Sequence, residues 1–147
     1  MGTMEKIKQI SVFVENAKGK LSNITTVLAE NGINIRALSI ADTTDFGILR
    51  MIVQDPEKAQ AVLSENDIMV KATEVMVAEV SDEPAGLNKV LCLLKDNNVT
   101  LEYLYAFVTK RENEAYVVMK TDNSEIAEKA LTAGGVRVLS AKEVYTL

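Results

Sequence analysis

Apolar residues follow two rhythms along this chain, and the order in which those rhythms alternate occurs twice. Residues 8–15 (KQISVFVE) are β-branched and aromatic, the composition of a strand. Leu21, Ile24, Thr25 and Leu28 then recur at i, i+3, i+4 and i+7, which predicts a helix stopped by "ENG" at Gly32. Residues 33–42 (INIRALSIAD) and 46–54 (FGILRMIVQ) return to the strand rhythm on either side of a turn at "TTD". Asp55 as N-cap and Pro56 at the first helical position open a second helix, and residues 67–72 are strand again. The order is β-α-β-β-α-β.

The second half repeats it. Residues 73–81 predict a strand, 83–97 a helix, and 99–109 with 114–121 a hairpin across "KREN". A helix over 122–134, capped by Asp122 or Asn123, precedes a closing strand over 136–147. The copies align at an offset of 66 through Leu21/Leu87, Leu28/Leu94, Ile35/Leu101 and Leu38/Leu104. The offset becomes 68 through Leu49/Val117, Met51/Met119, Ala59/Ala127 and Leu63/Leu131, because the second hairpin is longer. A βαββαβ unit is a split-βαβ, ferredoxin-like fold. The predicted class is therefore α+β: tandem ferredoxin-like units over 4–72 and 73–147, antiparallel sheets with helices on one face. No linker separates the copies, so residues 67–82 must supply the last strand of one and the first of the other. Side-by-side coupling and exchange of a terminal strand both satisfy that demand.

Alternation sorts the sheet faces. Leu104, Ala106 and Val108 are expected towards the helices, and Tyr103, Tyr105 and Phe107 away from them. In the first copy Ile48, Arg50 and Ile52 take the outer face. Such faces are too apolar to stay wet, and either another sheet or subunit or a ligand would cover them.

Composition then removes most chemistry. With no His among 147 residues, imidazole nucleophile pairs and imidazole metal sites are excluded. Cys92 lies off the apolar stripe of its helix and reads as a structural thiol. The carboxylates are scattered along helical faces, no phosphate-binding glycine loop is present, and "AGGV" at 133–136 reads as a helix stop. A net charge of -5 argues against nucleic acid and anionic membrane surfaces as partners. No apolar run approaches the roughly 18 residues that span a bilayer, the N-terminus lacks a signal-peptide pattern, and a single cysteine suits the cytoplasm. The expectation is a cytoplasmic non-enzyme without metal or cofactor.

What remains is the strand-to-helix turn of each copy, "NAKGKL" (residues 16–21) and "DEPAGL" (residues 82–87). A helix start leaves about four backbone N–H groups without partners and carries partial positive charge, so it can hold a carboxylate. Gly19 and Gly86 would let a ligand approach the backbone. The alternative is plain N-capping by Asn16 and Asp82 with glycine as punctuation.

These turns, the "NGINI" after the first helix and the doubled βαββαβ order resemble the ACT domain family over nearly the whole chain. The family's turn reads Asp or Asn, any residue, Pro, Gly, any residue, Leu. Lys18 stands where Pro is usual and Ala85 where Gly is usual. The resemblance implies a regulatory module that binds a free amino acid where two such domains pack, here the junction of the two copies, acting in trans on a metabolic enzyme. Separately, side-by-side sheets invite continuation through an edge strand, so a homodimer is expected. The first copy also resembles the serine-sensing tail of phosphoglycerate dehydrogenases, with Asn16 and Asn34 at its effector-holding positions and Val14 where a His is usual. Residues 99–107 resemble the second half of stand-alone tandem ACT proteins. The expected ligand-binding set is Asn16, Ala17, Lys18, Gly19, Lys20, Leu21, Asn34 and Ile35, with Asp82, Ala85, Gly86, Leu87, Thr100 and Tyr103 from the second copy. Of the two turns the first is expected to hold the ligand, since the second pairs Asp82 with Thr100. The competing expectation is an interaction or oligomerisation subunit without a ligand.

Overall fold

The computed structural model describes residues 6–15, 18–42, 46–107 and 113–147, with the backbone alone at Asp42. The chain forms two compact units, Lys8–Thr73 and Glu74–Leu147, the latter together with Lys6 and Ile7. The first unit contains β1 (Ile7–Glu15), α1 (Lys20–Glu30), β2 (Ile35–Asp42), β3 (Phe46–Val53), α2 (Pro56–Glu65) and the start of β4 (Val70–Ser81). The second contains the rest of β4, α3 (Gly86–Asp96), β5 (Leu101–Ala106), β6 (Glu114–Thr121), α4 (Ser124–Ala133), β7 (Arg137–Val138) and α5 (Ala141–Tyr145). The strand order is β2-β3-β1-β4 in one and β5-β6-β4-β7 in the other, the same order counted within each copy. The doubled ferredoxin-like pattern is therefore present. β4 runs unbroken for 12 residues and serves as last strand of the first copy and first strand of the second.

Register explains each core. In the first unit Ile10 lies opposite Met51 and Val12 opposite Leu49, so these four share one sheet face. Ile24 and Leu28 of α1 and Ala59 and Leu63 of α2 close over them, all nearly or wholly removed from solvent. In the second unit Met76 and Ala78 lie opposite Met119 and Val117, under Val90 and Leu94 of α3 and Ala127 and Leu131 of α4. Leu104 packs on this core as its alternation predicts, whereas Ala106 is exposed; Val108 and most of the "KREN" turn lie outside the described residues. Phe107 turns away from the helices and meets Tyr116 edge-on, with ring centroids 5.9 Å apart.

The expected closing strand over 136–147 is wrong beyond Val138. Only Arg137 and Val138 pair with β4, and Ser140 then starts α5. The Ser140 hydroxyl accepts from the Glu143 amide at 3.2 Å, and the Glu143 carboxylate accepts from the Ser140 amide at 3.0 Å. This reciprocal pair is a capping box, written in the sequence as Ser-Ala-Lys-Glu. Ala141 and Val144 are buried, and the segment borders the sheet face that carries Tyr116.

All four long helices stop in one way. A residue in the left-handed region follows each: Gly32 (φ 67), Asp67 (φ 60), Asn98 (φ 57) and Gly135 (φ 83). The next amide returns to the helix: Ile33 to the Leu28 carbonyl at 3.0 Å, and Ile68 to Leu63, Val99 to Leu94 and Val136 to Leu131 at 2.9 Å. This is a Schellman-type stop, in which an apolar residue past the helix meets one inside it. Before the left-handed residue, the Asn31, Asn66 and Asn97 side chains donate to carbonyls four residues back at 2.8 Å. Gly134 takes that place in α4, where a Cβ would come within 2.6 Å of Leu93.

Two stability predictions follow from the core and the second turn. Thr121 is 4% exposed, and its hydroxyl has no hydrogen-bond partner among the described residues. The matching position in the first copy is Val53, fully buried. Thr121→Val is expected to stabilise by about 1 kcal/mol, the scale of an unmet buried hydroxyl, raising the urea midpoint at constant m. At Gly86 a Cβ would collide with the Ser81 carbonyl oxygen. Gly86→Ala is expected to destabilise by roughly 1–3 kcal/mol, the usual cost of overpacking, and so to lower the same midpoint.

Candidate functional site

The first turn delivers the chain from β1 to α1. Asn16 and Ala17 lie outside the described residues; Lys18, Gly19, Lys20 and Leu21 are exposed. Gly19 is the N-cap of α1 and sits at φ 84, ψ -5, a conformation that L side chains rarely adopt. Its carbonyl accepts from the Ser22 hydroxyl and from the Asn23 amide, both at 3.0 Å. Among the described residues, no side chain caps α1. Among the described residues, a Cβ at Gly19 would meet nothing within 4 Å, so none of them blocks the approach to this backbone.

The other helices show how unusual that is. The Asp55 side chain accepts from the Lys58 amide and Asn123 from the Ile126 amide, both at 3.1 Å. Glu57 and Glu125 add negative charge to the first turns of α2 and α4. α1 and α3 have neither a side-chain cap nor an acidic first turn. In α1 the exposed Lys18 and Lys20 increase the positive potential that the helix dipole already sets there. An anion placed at this turn meets favourable charge and no competing carboxylate from the helix itself.

The second turn is closed on itself. The N-cap of α3 is Ala85 in a right-handed conformation, not Asp82, and the Gly86 amide donates to the Glu83 carbonyl at 3.0 Å. The Asp82 amide donates to the Asn113 carbonyl at 2.9 Å. Gly86 is occupied by the close approach of Ser81, so its missing side chain serves packing. Leu87, like Leu21, remains exposed.

The remaining expected residues lie elsewhere. α1 has 11 residues and so spans about 16 Å, which puts Asn34 and Ile35 at the end opposite the first turn. The Asn34 amide donates to Gln54 Oε1, and its carbonyl accepts from the Gln54 amide, both at 3.1 Å. Thr100 makes the same clasp with Asp122: amide to Oδ1 at 2.9 Å, and carbonyl from the Asp122 amide at 3.0 Å. Ile35 packs against the first core. Tyr103 is half-buried on β5, opposite Lys120. Within one copy, then, the structure brings Lys18–Leu21 together and keeps Asn34 apart from them.

Beside the first turn lies a cavity of about 330 Å³. Glu15, Lys20, Asn23 and Asp67 line it with polar groups, and Phe13 and Met69 with apolar ones. Apart from Lys20, none of these stands out in the sequence by itself. The signal is in the comparison of copies: positions 13 and 69 correspond to Glu79 and Arg137, which are ion-paired at 2.9 Å.

Comparison with known proteins bears on the family and the fold. The chain is similar to protein BT0572 from Bacteroides thetaiotaomicron, at 39% identity and a TM-score of 0.91, covering 98% of this chain and 99% of that one. The regulatory subunit of aspartate kinase from Thermus thermophilus in its ligand-free form shares the fold at a TM-score of 0.64 and 15% identity, covering 91% and 97%. The acetolactate synthase small subunit of Buchnera aphidicola subsp. Baizongia pistaciae is 24% identical over 124 residues, 84% of this chain and 77% of that protein. The model of the ACT domain pair matches residues 5–147. With the same strand order in each copy, the chain belongs to the ACT domain pair family.

Proposed function

We propose that this protein is a cytoplasmic regulatory sensor that binds a free amino acid at its first turn and acts in trans on a metabolic enzyme. The observation that carries the reading is the start of α1: no side-chain cap among the described residues, no acidic residue in the first turn, a left-handed Gly19 that no described residue crowds, and two flanking lysines. A carboxylate there gains hydrogen bonds from backbone amides and the favourable end of the dipole. The second turn, folded onto Glu83 and Ser81, is the weaker candidate. Relatives named as a small subunit of acetolactate synthase and a regulatory subunit of aspartate kinase support a role beside a separate catalytic chain. No catalytic step is assigned to this protein.

A homodimer fits the same geometry. Asn34 is about a helix length from Gly19 in its own copy, so a ligand touching both needs another copy of the unit. β2 ends the strand order, and its Leu38 and Ile40 are 39% and 48% exposed. An exposed apolar edge strand is a ready surface for pairing. That edge also favours the second reading, an interaction subunit that needs no ligand.

Calorimetric titration with each of the twenty amino acids separates the readings. Binding of at least one at sub-millimolar concentration is expected; silence from all twenty at millimolar levels would leave the interaction subunit. Lys18→Gln with Lys20→Gln is expected to weaken binding on the order of tenfold, given up to about 1 kcal/mol per charge at a helix start. Light scattering on Leu38→Lys with Ile40→Lys is expected to show a monomer where the wild-type chain is a dimer.

A further inference from the structure

We propose that the cavity beside the first turn reads the effector's side chain and selects an α-amino acid with a large apolar one. The inference rests on the sensor reading above and adds the ligand class to it. Phe13 is 60% exposed and Met69 76% exposed. Two solitary exposed apolar residues would be ordinary on any protein. These two border one cavity together with charges of both signs, Lys20 against Glu15 and Asp67. None of those three charged side chains makes an ion pair or side-chain hydrogen bond among the described residues. A zwitterion matches that set: its ammonium meets Glu15 and Asp67, its carboxylate meets Lys20 and the start of α1, and its side chain lies along Phe13 and Met69. The volume, about 330 Å³, holds one amino acid and sits at the small end of ligand sites.

The second copy shows what the same place looks like without such a site. Phe13 and Met69 correspond to Glu79 and Arg137, whose ion pair joins neighbouring strands. Asp67 corresponds to Gly135, and both occupy the left-handed position after a helix, at φ 60 and φ 83. Glycine takes that conformation without steric cost, and Asp does not. The first copy therefore keeps a carboxylate at a position where the fold alone favours glycine, and keeps apolar groups in water where its twin has a salt bridge.

The test is calorimetry on the full chain with L-Met, L-Leu, L-Phe, L-Ala, L-Lys, L-Asp and N-acetyl-L-Met, in wild type and two variants. Phe13→Glu with Met69→Arg installs the second copy's pair at exposed positions, and Asp67→Gly installs its glycine. Met, Leu or Phe is expected to bind at least tenfold more tightly than Ala, Lys or Asp, with N-acetyl-L-Met at least tenfold weaker than L-Met. Both variants are expected to lose at least tenfold in affinity while keeping or raising the wild-type melting temperature. In ¹³C-methyl spectra the Met69 signal, identified by its absence from the Met69→Arg variant, is expected to move on titration. An amino acid that binds wild type and both variants alike, or a preference for small or charged side chains, overturns this inference and leaves the sensor reading standing. No binding by any of the twenty overturns both.

Discussion

Each long helix in this protein must hand the chain back to the sheet through a single left-handed residue, and the rest of each unit depends on that return. The carbonyls of Leu28, Leu63, Leu94 and Leu131 each accept from the amide five residues on, and the first three also accept from the Asn31, Asn66 and Asn97 amides. The donors five residues on belong to Ile33, Ile68, Val99 and Val136, which are apolar and sit at or near the start of the next strand. One hydrogen bond therefore ends the helix, places an apolar residue over its own last turn and sets the direction in which the following strand enters. Because alternate strand residues face opposite ways, an error of one residue here would turn a core face to solvent. Position 67 shows how such a constraint becomes an opportunity. The left-handed slot admits Gly, Asn or Asp at modest cost, and only the last brings a charge.

The two ends of the helices divide the work. α2 and α4 begin with side-chain caps and acidic first turns, so their own sequences satisfy their dipoles. α1 and α3 begin at the family's turn, where the main chain and whatever approaches it must supply that satisfaction. In α3 the protein supplies it internally, through Glu83, and fills the glycine's space with the Ser81 backbone. In α1 the glycine is open, and lysines take the place that a capping acid would occupy. The two copies thus share a scaffold while their turns differ, the second packed against the Ser81 backbone and the first open among the described residues.

Local pattern carried most of the fold. The i, i+3, i+4, i+7 series from Leu21, the Asp55–Pro56 start, the cap at Asp122 or Asn123 and the stop at Gly32 are each settled within about two turns of helix, and the structure agrees, with Asn123 as the cap. The C-terminal segment went astray because "VRVLSAKEVYTL" has strand composition, while the capping box between Ser140 and Glu143 is a weaker mark inside it. The site was legible only in part. The Gly19 turn announces itself by its motif, but the cavity residues come from β1, α1 and the connection after α2.

The sequence by itself determined that there are two copies, what each element is up to Val138, and most of the residues on the apolar face of each. Those properties depend on spacing along one element, which periodicity reports directly. Only the tertiary structure decided that Asn34 stands a helix length from the turn it was expected to join, and that Glu15, Lys20 and Asp67 border one space with Phe13 and Met69. Those are relations between elements, and they follow from where the strand register and the left-handed helix stops return the chain.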